Sequence, residues 1–374
     1  MRINFILPKV NLSGGIRVVA IYAKALALRG HQVKLTSPPP PSLPLRRKLK
    51  SLLKGNWWPE NPKSYPSHLD GSGLDHHILE TWRPVTDHDV PDGDVVIATW
   101  WETAEWVNAL SASKGAKVHF IQHHEIFPHL PVSRCRATYR LPMHRIVVAR
   151  WLKTIMRSEY GDSAVDLVPN SVDRTLFFAD VREKRPVPTL GFLYSTASFK
   201  GLDVALAAIN RVQEKIPSLR LICFGSEHPN YAYALPRGTE FLFSPPQCEL
   251  RNIYSRCDAW ITASRSEGFN LPAMEAMACR TPVISTRTGW PEEAIETGRN
   301  GVLVDVDDVE ALASGVCWTL SLPSDDWARL SQHAYETTTV GSWEESSLAF
   351  EQALYRACRR SMSGEIAGKC ECIA

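Results

Sequence analysis

The stretch SRSEGFNLPAMEAMACRTPVIST, residues 264–286, holds the residue types best suited to binding chemistry. A strand ending at Ser264 runs into a loop that carries Glu267, Gly268, Phe269 and Asn270. Pro272 stands where proline opens a helix, because the first turn makes no use of the N–H that proline lacks. Glu275, eight residues after Glu267, is expected in that first turn. Two carboxylates and several backbone N–H groups would then surround one helix N-terminus. Free amides and the helix dipole attract a diphosphate there. The carboxylates do not favour phosphate, but they accept hydrogen bonds from sugar and ribose hydroxyls. Two Glu at this spacing are also what a capped, solvated helix start would show. The fixed order of Gly, aromatic, Leu-Pro and an Ala-Met-Ala helix argues against that blander reading.

Three other places carry suitable residues. Residues 195–201, Ser-Thr-Ala-Ser-Phe-Lys-Gly, set Lys200 beside Gly201 at a strand-to-helix loop. A lone lysine is usually a solvated charge, and this position favours a phosphate role instead. Ser13, Gly14 and Gly15 read as the turn after the first strand. A lone Gly-Gly is usually a plain tight turn, and no Gly-x-Gly-x-x-Gly dinucleotide fingerprint is present. QHHEIFPH offers His123, His124, Glu125 and His129. Their spacing is not His-Glu-x-x-His and no Cys or Asp cluster joins them, so no metal site is expected.

The elements that must position these residues alternate. RINFILP reads as a strand, Ile16 to Arg29 as a helix with apolar residues at helical spacing, and HQVKLTS as the next strand. DVVIATW, KVHFIQ, RIVVARWLKTIM and VDLVPNSVD continue the pattern. After the charged linker REKRPVP a second series runs from TLGFLYS to NGVLVDV. Strands separated by helices imply parallel, doubly wound sheets. The fold class expected is α/β, with two Rossmann-like domains facing an interdomain cleft, and ligands at the carboxyl ends of the strands. The domains are placed at 1–180 and 187–342, with helix 343–361 packing back on the first. Residues 38–93 open with PPPPSLP, show little strand signal before DVVIATW, and read as an insertion.

Composition sets the outer limits. The 374 residues suit two domains rather than one core. A net charge of +2 excludes a globally basic nucleic-acid binder. No run approaches the roughly 20 apolar residues of a membrane span, and the opening lacks the apolar core of a signal peptide. The nine cysteines form no Cys-x-x-Cys pair and are expected as reduced thiols in the cytoplasm, with Cys370 and Cys372 in a frayed tail. LRRKLKSLLKGNWWP, residues 45–59, places a leucine stripe against five cations and ends on Trp57 and Trp58. That composition suits an interfacial helix on anionic lipid, because paired Trp beside five cations is unusual for a plain surface helix; the alternative is a surface helix packed on its own domain.

EGFNLPAMEAMACRTPVIST resembles the Glu-x7-Glu donor signature of family 4 glycosyltransferases. The likeness extends to TGRNGVLVDVDDVEALA (297–313), VPNSVD (168–173) and the opening NLSGGIRVVAIYAKALALRGHQV. It implies the GT-B fold, a nucleotide diphosphate-sugar donor, retention at the sugar carbon, and no metal or other cofactor. Glu275 would hold ribose hydroxyls, and Glu267 with the backbone of Gly268 to Leu271 would hold the donor sugar. Asn270 stands where the family usually has Gly, and Asn tolerates a left-handed backbone. Lys200 and Gly201 match the family's Arg-x4-Lys-Gly segment, and Ser195 takes the Arg position. Gly14 and Gly15 would approach donor phosphate and acceptor. His123 would point at the donor sugar, with His124 as the alternative.

The resemblance thus implies transfer to a glycan or lipid-linked acceptor, as in polysaccharide biosynthesis, by a cytoplasmic or peripheral membrane enzyme with no nucleic-acid partner. An epimerase or phosphorylase of the same fold, or a non-catalytic sugar-binding homologue, remains open. An NAD-dependent oxidoreductase lacks its fingerprint.

Overall fold

A computed structural model describes residues 1–41 and 65–370. The basic, tryptophan-bearing segment 45–59 lies outside the described residues, as does Cys372. The chain divides into two units, residues 1–168 with 347–374, and residues 169–346.

The first unit holds a parallel sheet in the order β3-β2-β1-β4-β5-β6-β7. Its strands are β1 (Arg2–Ile6), β2 (Gln32–Ser37), β3 (Asp75–Ile78), β4 (Val95–Ala98), β5 (Ala116–Ile121), β6 (His144–Val147) and β7 (Asp166–Leu167). Every residue of β4 and β5 is buried, as expected where helices cover both faces of a parallel sheet. The helices are α1 (Gly14–Leu28), α2 (Trp101–Ala109), α3 (Val132–Thr138) and α4 (Arg150–Ser158).

The second unit holds the order β10-β9-β8-β11-β12-β13, also parallel. It comprises β8 (Thr189–Leu193), β9 (Arg220–Gly225), β10 (Glu240–Phe243), β11 (Ala259–Thr262), β12 (Val283–Thr286) and β13 (Gly301–Val304). Its helices are α5 (Leu202–Lys215), α6 (Gln247–Tyr254), α7 (Leu271–Ala278), α8 (Trp290–Ala294), α9 (Val309–Ser321) and α10 (Ser324–Thr337). The last helix, α11 (Trp343–Met362), has residues 347 onward in the first unit. There Phe350 stacks on Tyr22 at 4.5 Å between ring centroids, and Glu351 accepts hydrogen bonds from Arg29.

Four expectations need correction. The segment 38–93 is not free of strands: Asp75–Ile78 pairs in parallel with β2 and forms the sheet edge. Its two histidines and terminal Asp hid a strand whose partner supplies the order. Gly14 and Gly15 are the first residues of α1, with Ser13 before them at the N-cap, rather than the turn itself. The REKRPVP stretch is no loose linker, since Arg182 pairs with buried Asp258 at 3.1 Å. Lys184 donates to the carbonyls of Leu320 and Leu322 at 2.8 and 2.6 Å.

Lastly, Cys358 and Cys370 form a disulfide, Cα atoms 5.2 Å apart. As far as Cys370 the tail is not frayed. Ala367 N–H donates to Pro142, Lys369 N–H to Ala112, and Lys117 N–H to Ala367, which folds residues 363–370 against the sheet and buries Cys370. Cys135, Cys223, Cys257 and Cys279 are free and buried, and burial pushes their thiols up.

Candidate functional site

In each unit the strand order reverses between the first strand and the fourth, which opens a crevice at the carboxyl edge of the sheet. In the second unit β8 and β11 are neighbours, with Leu190 opposite Ala259 and Phe192 opposite Ile261. The loops that leave these strands are therefore side by side. One carries Lys200 and the other Glu267.

The two residues meet. Lys200 Nζ lies 2.7 Å from Oε1 and 3.0 Å from Oε2 of Glu267, although 67 positions separate them in sequence. Glu267 is buried, and Ser264 Oγ donates to its Oε1 at 2.7 Å. A small hollow at the end of β11 is lined by Lys200, Ser264, Glu267 and Asn270. It combines a cation, a carboxylate and a hydroxyl, a set that can neutralise an anion and fix a sugar hydroxyl together.

Two glycines permit this approach. Gly201 has φ +61°, and a Cβ there would fall 2.0 Å from the carbonyl oxygen of Ala263. Gly289 has φ +62°, and its Cβ would fall 2.7 Å from the Phe269 carbonyl oxygen and 2.9 Å from Glu267 Cβ. Next to it, Trp290 N–H donates to that same carbonyl at 2.7 Å and its ring stacks on Phe269. The 267–269 loop is thus clamped from β12's side. Sequence reasoning missed Gly289 and Ser264. The Thr-Gly-Trp-Pro run after TPVIS was a usable signal, because Gly followed by a proline-opened helix marks a tight strand-to-helix turn.

Asn270 adopts φ +78°, ψ +63°, the left-handed conformation expected of it, and its amide donates to Thr262 Oγ1 at 3.1 Å. Its replacement by Val should cost about 1–3 kcal/mol through backbone strain, while Asn270→Gly should keep the loop. Thermal melts of the two variants decide this; equal melting temperatures would show that the loop relaxes freely.

Leu271 begins α7, with Pro272 in its first turn. Glu275 is the fifth residue of that helix, one turn deeper than its spacing suggested. It is only 3% exposed, so the solvated helix start is excluded. Tyr254 donates to its Oε2 at 2.9 Å.

Ser195 is half-buried after β8. Arg265 lies close to this segment, but it does not take the place of the absent arginine. Its guanidinium is held by Asp203, Asp307 and the Ser198 carbonyl, and those hydrogen bonds raise its basicity further. Its backbone N–H donates to the Phe199 carbonyl, so it braces the Lys200 loop.

Gly14, Gly15 and His123 belong to the first unit. Gln122 Nε2 donates to the Gly15 carbonyl at 3.2 Å, which ties the end of β5 to the start of α1. His123 is half-buried, its ring against Phe127 and Trp151. His124 is buried, hydrogen-bonded to the Tyr160 hydroxyl at 2.8 Å, and burial holds its ring down at about 4. Glu125 is also buried: it accepts the Trp101 N–H at 2.7 Å, and desolvation pushes its carboxyl well up. His124 and Glu125 are thus engaged within the fold, and the His123 ring is held as well, its Nδ1 3.1 Å from the His124 carbonyl oxygen. Among the described residues no three His, Cys, Asp or Glu side chains gather as a metal site would require. Nor is any described helix long and apolar enough to cross a membrane.

Residues 187–321, which contain all of this second-unit site, match the family described as glycosyl transferases group 1. That segment belongs to this family. The D-inositol 3-phosphate glycosyltransferase of Corynebacterium urealyticum is 32% identical over 182 residues, 45% of this chain and 42% of that protein. The same-named protein of Mycobacterium marinum is 28% identical over 243 residues, 59% of this chain and 50% of that protein. The chain thus spans about half the length of the curated relatives it matches. Among solved structures, Anabaena Alr3699/HepE in complex with UDP and glucose aligns with a TM-score of 0.71 at 15% identity, over 95% of this chain and 99% of that one. Sucrose-phosphate synthase from Thermosynechococcus elongatus aligns at 0.69 with 17% identity, over 95% and 98%. At such identities the likeness speaks for the fold, and the fold is GT-B. The group 1 segment is the part of it that carries Lys200, Glu267 and Glu275.

Proposed function

We propose that the chain is a glycosyltransferase that moves a sugar from a nucleoside diphosphate to a glycan or lipid-linked acceptor, with retention and without a metal. The observation that carries this reading is the Lys200–Glu267 pair, set at the switch point of a group 1 glycosyl transferase segment with Glu275 buried on the adjoining helix. In this reading Glu275 meets the ribose hydroxyls and Glu267 the donor sugar, with the backbone of Gly268, Phe269, Asn270 and Leu271 beside it. Lys200 faces the diphosphate, and Ser195 supplies at most a neutral hydrogen bond where an arginine would supply charge. Gly14, Gly15 and His123 are assigned to ligand contacts from the first unit. The lipid-linked alternative for the acceptor, at an anionic surface, rests on the composition of residues 45–59 alone.

Cleavage of the sugar C1–oxygen bond builds positive character on the ring and negative charge on the departing diphosphate. Fixed charges and dipoles already aimed at those positions lower the barrier, because they need no reorganisation during reaction. A ligand that binds only the folded state raises the melting temperature by mass action. A panel of UDP-, GDP-, ADP- and dTDP-sugars should therefore contain a donor that stabilises the protein. UDP-glucose is the first to try, since the Anabaena neighbour is also known in complex with UDP-glucose. The stabilising donor, incubated with an acceptor and a chelator, should give a product with the donor's anomeric configuration by NMR. No shift with any donor would overturn the reading. An inverted product, or loss of activity with the chelator, would overturn its retaining or metal-free part.

A further inference from the structure

We propose that Tyr254 is a positioning residue that sets Glu275 in the orientation a ribose needs. The inference rests on the reading of Glu275 as the ribose contact. Tyr254 ends α6 and is fully buried. Its ring is boxed by Trp260 at 4.7 Å, Phe224 at 5.9 Å and Phe177 at 6.2 Å between centroids. Its carbonyl accepts from Thr281 Oγ1 at 2.7 Å, which anchors the backbone as well. The phenol can therefore point in one direction only, and its hydroxyl donates to Glu275 Oε2 at 2.9 Å.

A glutamate on a helix has several rotatable bonds, and a ligand that must order them loses affinity by that entropy. Here α6 orders the side chain in advance. A carboxyl group offers about four lone-pair positions, whereas the phenol occupies one of them. A bond from the phenol is therefore compatible with contact between the same carboxylate and a ribose hydroxyl. Glu267 is held in the same manner by Ser264, so each of the two carboxyls has a hydroxyl from its own unit fixing one oxygen.

The test compares the ribonucleoside diphosphate that the wild type binds most tightly among the four common bases with its 2′,3′-dideoxy counterpart, by calorimetry. Wild type should prefer the ribonucleotide. Tyr254→Phe should weaken ribonucleotide binding by about tenfold, as loss of a hydrogen bond to a carboxyl predicts, and leave dideoxynucleotide binding unchanged. The Tyr254→Phe/Glu275→Ala double variant should bind no worse than Glu275→Ala, because Tyr254 acts through Glu275. Equal loss for both nucleotides would assign Tyr254 a purely structural role and overturn the proposal. An unaffected Tyr254→Phe in a protein that does prefer ribonucleotide would overturn it while sparing Glu275. A wild type that binds no nucleotide, or shows no preference, would overturn the ribose reading and the proposal together.

Discussion

Replacement of Lys200 by Ala is expected to lower kcat/KM by about 10²-fold or more, the scale on which a charge aimed at a developing anion acts. Two effects combine in that loss. The cation assigned to the leaving diphosphate disappears, and the Glu267 carboxylate, 7% exposed, keeps Ser264 but loses its ion-pair partner. Removal of one partner from a fully buried pair costs about 3–5 kcal/mol. Lys200 is 23% exposed, so solvent screening brings the cost here below that range. A Lys200→Ala/Glu267→Gln double variant separates the two effects. Its melting temperature should recover toward that of the wild type, since no carboxylate is left unpaired, while its activity should not. A loss of less than threefold in the single variant would mean that another group neutralises the diphosphate.

Glu267→Gln should reduce turnover by a similar order, about 10²-fold, with nucleoside diphosphate affinity nearly unchanged. Gln keeps the length of the side chain and can still accept from Ser264, so the loop clamped by Gly289 and Trp290 has no reason to move. What it loses is the negative charge beside the reacting sugar, whose ring becomes positive in the transition state. The expected signature is therefore a fall in kcat without a matching rise in the dissociation constant for the free nucleotide. Parallel loss of both would mean that Glu267 serves to bind the donor in general, and its place beside the reacting carbon would have to be given up.

Much of the site was legible along the chain because its signals are local. Pro272 opening a helix, Asn270 in a left-handed turn and Lys200 before Gly201 each follow from backbone constraints that span only a few residues. The strand-and-helix alternation is equally local, and it sufficed for two parallel α/β sheets. The depth of Glu275 was misjudged by one turn, since spacing gives the order of residues on a helix and not where the first turn closes.

Only the tertiary structure decided what meets what. Lys200 and Glu267 come together because β8 pairs with β11 on one side as well as with β9, its neighbour in sequence, on the other. Gly289 clamps the Glu267 loop, and Tyr254 reaches Glu275 from another helix. The Cys358–Cys370 disulfide likewise depends on hydrogen bonds that the tail makes with residues 112, 117 and 142. Hydrophobic patterning states that a strand will be buried on both faces, but it is nearly the same for every strand of a parallel sheet. Strand order is settled by how the crossovers pack, and with it the partners of each buried polar group. That choice is a property of the whole chain, which is why Lys200, Glu267 and Glu275 could be named from the sequence while their partners could not.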